Sequence, residues 1–303
     1  MFPFLKDNTS ALLSFHHDML QLLQYSYEDG RYSLEGFNKV LLDGYVSDES
    51  SIIDMEAFKA SLSDLFLKAE PQPVKAGRLF INIPHNLFYS FVYDFSHHFK
   101  EASLQKLMMS NIEKISPVPV DELSFNYVMT EKGHTLSYAA YAVLKKWQDR
   151  LLAALKEVGV KSVEFIPEPV AEISLLGETA LDDYALFSHF RGQVFISVFH
   201  NGLLYDSYSL GTFVEDFSVD CSGCLREFER TTKEMESQFG TKLGNVYFIG
   251  FNDNQCQFIE KQFEFRQESI LFIRSEDSIL NDILPYTNDK LILFGLFNYV
   301  TKR

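Results

Sequence analysis

Two dipeptides, Asp29-Gly30 and Asn201-Gly202, constrain the fold of this chain more than any other feature. Each stands between two β-rich runs, where such a pair closes a tight hairpin because both central residues of the turn need positive φ. MLQLLQYSYE and RYSLEGFNKVLL flank the first, with ALLSFHH ahead of them; QVFISVFH and LLYDSYSL flank the second, with YALFSHF ahead. Each triplet predicts a three-strand meander. After the first, Asp54 is placed to cap a helix carrying Met55, Phe58, Leu62, Leu65 and Phe66 at helical spacing, and RLFINIP follows as a strand. After the second come a long helix ending near Phe239-Gly240, the strand NVYFIGF, a helix through Cys256 to Glu260, the strand SILFIR and a final helix from Leu291 to Val300. The order β-β-β-α-β-α thus occurs twice without any sequence repeat, which predicts an α/β protein of two similar domains facing each other across a cleft.

Between the halves the pattern changes. The runs LFYSFVYDF, LSFNYVM and TLSYAAYAV predict strands, and EASLQKLMMSNIEKI predicts a helix with Leu104, Leu107, Met108 and Ile112 on one face. Pro117 and Pro119 end that helix, since proline lacks the N–H of a further turn and restrains the residue before it. Residues 77–141 are therefore expected to form an inserted subdomain. The chain returns through an amphipathic helix carrying Val143, Leu144, Trp147, Leu151, Leu152, Leu155 and Val158, closed by Gly159, and through the strand KSVEFI. Aromatic residues crowd the insertion. Tyr89, Phe91, Tyr93 and Phe95 share one face of their strand and Phe88 lies on the other, with Phe125, Tyr127, Tyr138 and Tyr141 following. Most of these are expected in the core of the subdomain, and the surplus is expected to line a groove for an extended or helical peptide.

Composition narrows the function. A formal net charge of −15 over 303 residues argues against a nucleic-acid or anionic-lipid surface, because phosphate recognition rests on clustered Lys and Arg; a basic protein or peptide suits it better. The start, MFPFLKDNTS, lacks the apolar run of a secretory signal, and no stretch is apolar for the length of a membrane helix, so a cytosolic location is expected. The three cysteines, Cys221, Cys224 and Cys256, are too few for a disulfide framework, and the one Cys-x-x-Cys lacks the fourth ligand of a zinc site. His16-His17 and His97-His98 are adjacent pairs whose rings point to opposite faces of a strand, a poor geometry for sharing an ion. No metal site is expected from any of them. Nothing marks a Ser-His-Asp constellation, and the charged stretch Thr231 to Glu236 reads as a solvated helix face.

The doubled plan resembles the actin-like fold, in which two ribonuclease-H-like domains clamp a nucleotide. IEKISPVPVDELSFNY (Ile112 to Tyr127) is similar to the type IV pilus assembly family of PilM, where a helix runs into a Pro-x-Pro segment, an acidic pair, a strand and an aromatic residue. AAYAVLKKWQDRLLAALKEVGVKSVEFIPEPVAEISLL (Ala139 to Leu176), with Glu168-Pro169 at the end of its strand, resembles the same family. So do the opening meander and the last helix. The resemblance implies a first ribonuclease-H-like domain of residues 1–76 and 142–168, an inserted peptide-binding subdomain of 77–141, and a second, shortened domain of 169–303.

The departures from that family fall on the nucleotide cleft. Where relatives carry Gly-Ile-Asp-Ile-Gly-Ser, this chain reads Ser14-Phe15-His16-His17-Asp18, with His16 in place of Asp and the glycine gone. The second phosphate loop, Asp-Ile-Gly-Ala-Ser in relatives, reads Ser188-His189-Phe190-Arg191-Gly192, with Phe190 where a glycine permits close backbone approach. The adenosine motif Gly-Gly-Gly-Ala reads Gly250-Phe251-Asn252-Asp253. A non-catalytic pseudo-ATPase without a cofactor is the expectation, with ATP and Mg²⁺ as the alternative. The resemblance implies a partner in the N-terminal cytosolic tail of a PilN-like membrane protein. The site would lie among Phe88, Tyr89, Phe91, Tyr93, Tyr127, Tyr138 and Tyr141, and would hold the protein at the cytoplasmic side of the inner membrane. A pilus motor ATPase or platform protein, and a homo-oligomer or ring, are further implied partners. The competing readings are an active actin-like ATPase or filament former and the cytoplasmic domain of a GspL-like type II secretion protein.

Overall fold

A computed structural model describes residues 10–16, 18–44, 52–96, 101–132, 135–176, 183–190, 192–212, 222–255, 257, 261, 270–273, 279–285 and 287–302. Cys221, Cys256 and the pair His97-His98 lie outside the described residues, as does most of the helix expected through Cys256.

The chain divides into two compact units, one of residues 1–87, 146–175 and 275–303, the other of 88–145 and 176–274. The first unit is built on strands β1 (Ser10–His16), β2 (Met19–Glu28), β3 (Arg31–Leu41), a two-residue β4 (Glu70–Pro71), β5 (Arg78–Ile83) and a strand Ser162–Pro167, in the order β4-β3-β2-β1-β5 followed by that last strand. The first three run antiparallel, while β5 pairs parallel with β1 and Ser162–Pro167 pairs parallel with β5. Asp29 and Gly30 both have positive φ, the pair of left-handed residues that a two-residue hairpin needs to follow the strand twist.

Helix α1 (Met55–Leu67) starts where expected. The Asp54 carboxylate accepts the N–H groups of Glu56 and Ala57 at 3.0 Å each, and Phe58, Leu62, Leu65 and Phe66 are buried. The helix Lys145–Glu157 buries Trp147, Leu151, Ala154 and Leu155. It closes on Gly159 at φ +90°, with Gly159 N–H donating to Lys156 and Val160 N–H to Leu155, the paired bonds of a left-handed cap. Phe15 meets the rings of Phe58 and Trp147 edge-on, so both helices share the face of β1 that carries Phe15.

Two features of this unit were not anticipated. A short helix, Glu168–Ile173, follows the last strand, and the C-terminal helix Leu291–Lys302 packs here rather than with the second domain, almost every residue from Leu291 to Phe297 being buried. Phe297 lies edge-on to Tyr25 and Tyr32. Nor does the insertion begin at residue 77. Arg78–Ile83 is a central strand of the first sheet, so the excursion starts at β6 (Phe88–Ser96).

The second unit contains β6, helix α2 (Glu101–Ile115), β7 (Leu123–Lys132) and β8 (Thr135–Leu144), with strand order β6-β8-β7. Numbering on in chain order, Lys145–Glu157 is α3, Ser162–Pro167 is β9 and Glu168–Ile173 is α4. The second sheet comprises β10 (Tyr184–Phe190), β11 (Gln193–His200), β12 (Leu203–Thr212), β13 (Asn245–Ile249) and β14 (Ile270–Ile273), covered by α5 (Ser222–Phe239); Leu291–Lys302 is α6. Its order β12-β11-β10-β13-β14 repeats that of β3-β2-β1-β5-β9, with the same antiparallel meander and the same two parallel strands beside its first strand. Asn201 and Gly202 again have positive φ.

The three-stranded sheet is joined to the second sheet by polar contacts. Leu204 N–H donates to the Tyr141 hydroxyl at 3.0 Å, Ser90 donates to the Leu204 carbonyl, Thr130 donates to the Asn201 carbonyl at 3.1 Å, and the Asn201 amide donates to Ser137 at 2.9 Å. The insertion expected in the first domain by chain order is thus bonded to the β11–β12 hairpin.

Candidate functional site

Three loops correspond to the nucleotide motifs of the resembling family. In the first unit the β1–β2 hairpin pairs His16 with Met19. Several of its polar groups are already bonded within the chain. Phe15 N–H donates to Asn82 Oδ1 at 2.6 Å, Asn82 Nδ2 returns a bond to the Phe15 carbonyl at 3.0 Å, and His16 Nδ1 lies 2.7 Å from the Asp18 carboxylate. Ser14, facing Gln21 across the pair, is buried.

In the second unit the equivalent hairpin pairs Phe190 with Gln193, with Gly192 at φ +79° in the turn. Ser188 and Phe190 are fully buried, so the ring that replaces glycine points into the protein. After β13, Gly250 has φ +79° and its carbonyl lies 3.1 Å from His189 Nδ1. Phe251 packs between Phe248 and His189. Asn252 is a structural residue: its side chain accepts Gln255 N–H at 3.0 Å while the Gln255 side chain accepts Asn252 N–H at 2.9 Å, a reciprocal cap at the start of a helix. An aromatic ring and a cap thus stand where a loop open to adenosine would be needed.

The aromatic residues expected to form a groove divide into three groups. Phe91 and Tyr138 belong to the core between the three-stranded sheet and α2, with Leu104, Met108, Ile112 and Leu136, because odd positions of β6 face that helix. Phe88 and Tyr141 are buried and lie on the other face of the sheet, where Tyr141 holds Leu204. Neither group lines an outer groove. Tyr89, Tyr93 and Tyr127 remain half-buried on the rim of the α2 core, with Phe95 and Phe125 beside them; Phe125 and Tyr127 stack, and the Tyr127 hydroxyl reaches the Met109 sulfur at 3.2 Å.

A cluster that the sequence pattern did not reveal lies in the first unit. β5 and β9 run parallel with Ile83 opposite Pro167, so the turn after β5 and the helix after β9 leave the sheet at the same end. The turn carries His85 and the helix carries Glu168 and Glu172 one turn apart. All three side chains are at most 2% exposed; His85 Nε2 lies 3.9 Å from Glu168 Oε1 and 3.6 Å from Glu172 Oε2. Asn82 Nδ2 donates to Glu168 Oε2 at 3.0 Å. Burial lowers the affinity of His85 for a proton, against the pull of Glu168, and raises that of Glu168, with Glu172 adding to the rise. The one available signal was the Glu168-x-x-x-Glu172 spacing behind a proline, legible only once a helix is placed there.

No protein-family profile and no curated protein sequence matches the chain. Solved structures do. The chain is similar to the PilM–PilN type IV pilus biogenesis complex, with a TM-score of 0.69 and 11% identity over 95% of this chain and 97% of that one. A Bacteroides thetaiotaomicron protein of unknown function, described as having an actin-like ATPase fold, matches with a TM-score of 0.53 and 13% identity over 97% of this chain and 98% of that one. This chain has the actin-like fold. The cytoplasmic domain of EpsL, an inner-membrane component of the Vibrio cholerae type II secretion system, shares it at a TM-score of 0.50 and 8% identity, over 97% of this chain and 95% of that one. In this actin-like chain the two repeated sheets are the ribonuclease-H-like domains and β6–α2–β7–β8 is the insertion. Among the described residues no helix is long and apolar enough to cross a membrane.

Proposed function

We propose that this protein is a non-catalytic, PilM-like scaffold that binds the basic N-terminal cytosolic tail of a PilN-like membrane protein and so works at the cytoplasmic face of the inner membrane. The observation that carries the reading is the closure of the nucleotide-type loops by the chain's own groups. Phe190 fills the position of a phosphate-loop glycine, Phe251 packs where adenosine would need space, and Asn82 takes the Phe15 N–H. The N–H groups of Phe15 and Asn252 are thus bonded within the chain rather than offered to a polyphosphate. The fold-level likeness to a PilM–PilN complex supports the choice of partner, as does a net charge of −15, which favours the Lys and Arg that flank the cytosolic end of a membrane helix. The half-buried strip of Tyr89, Tyr93, Phe125 and Tyr127 offers aromatic area for such a tail.

The likeness to the EpsL cytoplasmic domain favours a second reading, the corresponding role in a type II secretion system. Calorimetric titration with the N-terminal peptide of a PilN-like protein, in nucleotide-free buffer and again with Mg-ATP, separates the possibilities. Equal saturable binding in both buffers is expected. Binding only with Mg-ATP would restore the ATP-dependent reading, and silence in both would favour the secretion partner.

A further inference from the structure

We propose that His85, Glu168 and Glu172 form a three-ligand binding site inside the first unit for a divalent transition-metal ion of the zinc class, with a water molecule as the fourth ligand. The ligands are not residues of the nucleotide-type loops, although Asn82 ties Glu168 to Phe15 of the first of them.

Two observations carry it. First, the donor set is chemically mixed: one imidazole nitrogen and two carboxylate oxygens, all within 4.8 Å of one another and all buried. Imidazole selects first-row transition ions over Mg²⁺ and Ca²⁺, and one His with carboxylates is within zinc's range. Second, the spacing is that of ligands on a common ion. Separations of 3.6 and 3.9 Å exceed hydrogen-bond length. Donors each about 2.0–2.2 Å from an ion at tetrahedral angles stand roughly 3.3–3.6 Å apart, so the two imidazole–carboxylate gaps close with a few tenths of an ångström of inward movement, and the two carboxylates, within 4.8 Å of each other, close by a rotamer adjustment.

The surroundings are already arranged for coordination. Asn82 fixes one oxygen of Glu168 and leaves the other turned toward His85, the kind of outer contact that orients a ligand. Asn82 is itself clamped to both backbone groups of Phe15. The i, i+4 spacing puts Glu168 and Glu172 on one face of α4, which is anchored by α6.

The test uses the full chain in a Cys221→Ser, Cys224→Ser, Cys256→Ser background, which removes thiols as competing ligands. The protein is stripped with a chelator, loaded with zinc, and its metal content and melting temperature are measured. Stoichiometric zinc and a melting temperature that rises on loading and falls back with chelator are expected. Cobalt(II) should give a tetrahedral or five-coordinate d–d spectrum. Glu172→Gln keeps the side-chain volume and should weaken zinc binding by roughly tenfold or more, with an unchanged circular dichroism spectrum; His85→Gln is the second variant should the first not fold. No zinc uptake by the folded cysteine-free chain would overturn the site. So would uptake that Glu172→Gln or His85→Gln leaves intact.

Discussion

Gly295 of helix α6 lies against Ala171 of helix α4 so closely that a methyl group on it would stand 2.5 Å from the Ala171 carbonyl oxygen and 2.7 Å from its carbon. Both neighbours are backbone, which cannot turn aside as a flexible side chain would. Replacing Gly295 by Ala gains about 1 kcal/mol of helix propensity, but overpacking of this kind costs typically 1–3 kcal/mol or more. A net loss of about 1–2 kcal/mol is expected in urea denaturation. An unchanged midpoint would mean the helices separate freely.

His200 is held between two carboxylates, with Nδ1 2.8 Å from Asp183 and Nε2 2.9 Å from Asp94. Burial opposes its charged form, but the hydrogen bonds to Asp183 and Asp94 outweigh burial and raise its pKa to about 9. A raised pKa stabilises the fold fully below the unfolded value of about 6.5, and the benefit is lost as pH climbs through about 9. Stability measured between pH 6 and pH 10 should therefore fall by roughly 2–3 kcal/mol from this group. His200→Asn should remove that part of the slope, and an equally steep slope in the variant would count against the assignment.

Asn82 replaces a rung of the sheet ladder by binding both the N–H and the carbonyl of Phe15. Asn82→Ala leaves a buried donor and acceptor unmatched and frees one oxygen of Glu168. The expected cost is about 2–4 kcal/mol, from two buried groups at about 1–3 kcal/mol each with partial rehydration. Thermal unfolding would register it, and hydrogen exchange at Phe15 N–H should speed up with it.

Two tyrosines of the insertion should respond differently. Tyr141→Phe removes the acceptor of Leu204 N–H, costing about 1–3 kcal/mol, while leaving the outer aromatic strip untouched. Tyr127→Ala removes half-buried ring area from that strip. Peptide titration should show full affinity for Tyr141→Phe once folded, and weakening of about tenfold for Tyr127→Ala, as for a contact of moderate weight. The reverse pattern would move the peptide site to the face that carries Phe88 and Tyr141.

The meanders were legible because Asp29-Gly30 and Asn201-Gly202 announce hairpins through backbone chemistry that needs no tertiary context. The caps at Asp54 and Gly159 were legible for the same reason. Packing partners were not. An aromatic run such as Phe88 to Phe95 states which residues alternate, but not which face receives a helix, so Phe91 and Tyr138 read equally well as groove and as core. Helix α4 is too short to show a period, and without it Glu168 and Glu172 are merely two acids in a loop. The placement of α6 depends on contacts more than a hundred residues away in the chain, such as the Ser174 hydroxyl bond to the Gly295 carbonyl.

That placement sets an order of assembly. All of the second unit is encoded between residues 88 and 274, whereas the first unit waits for Leu291, Phe294 and Phe297 to cover its sheet and α4. During synthesis the amino-terminal meander emerges first yet is completed last, so its apolar surface depends on transient shielding until α6 arrives. A released chain truncated after residue 274 would hold every strand of the second sheet yet leave the first sheet and α4 without α6.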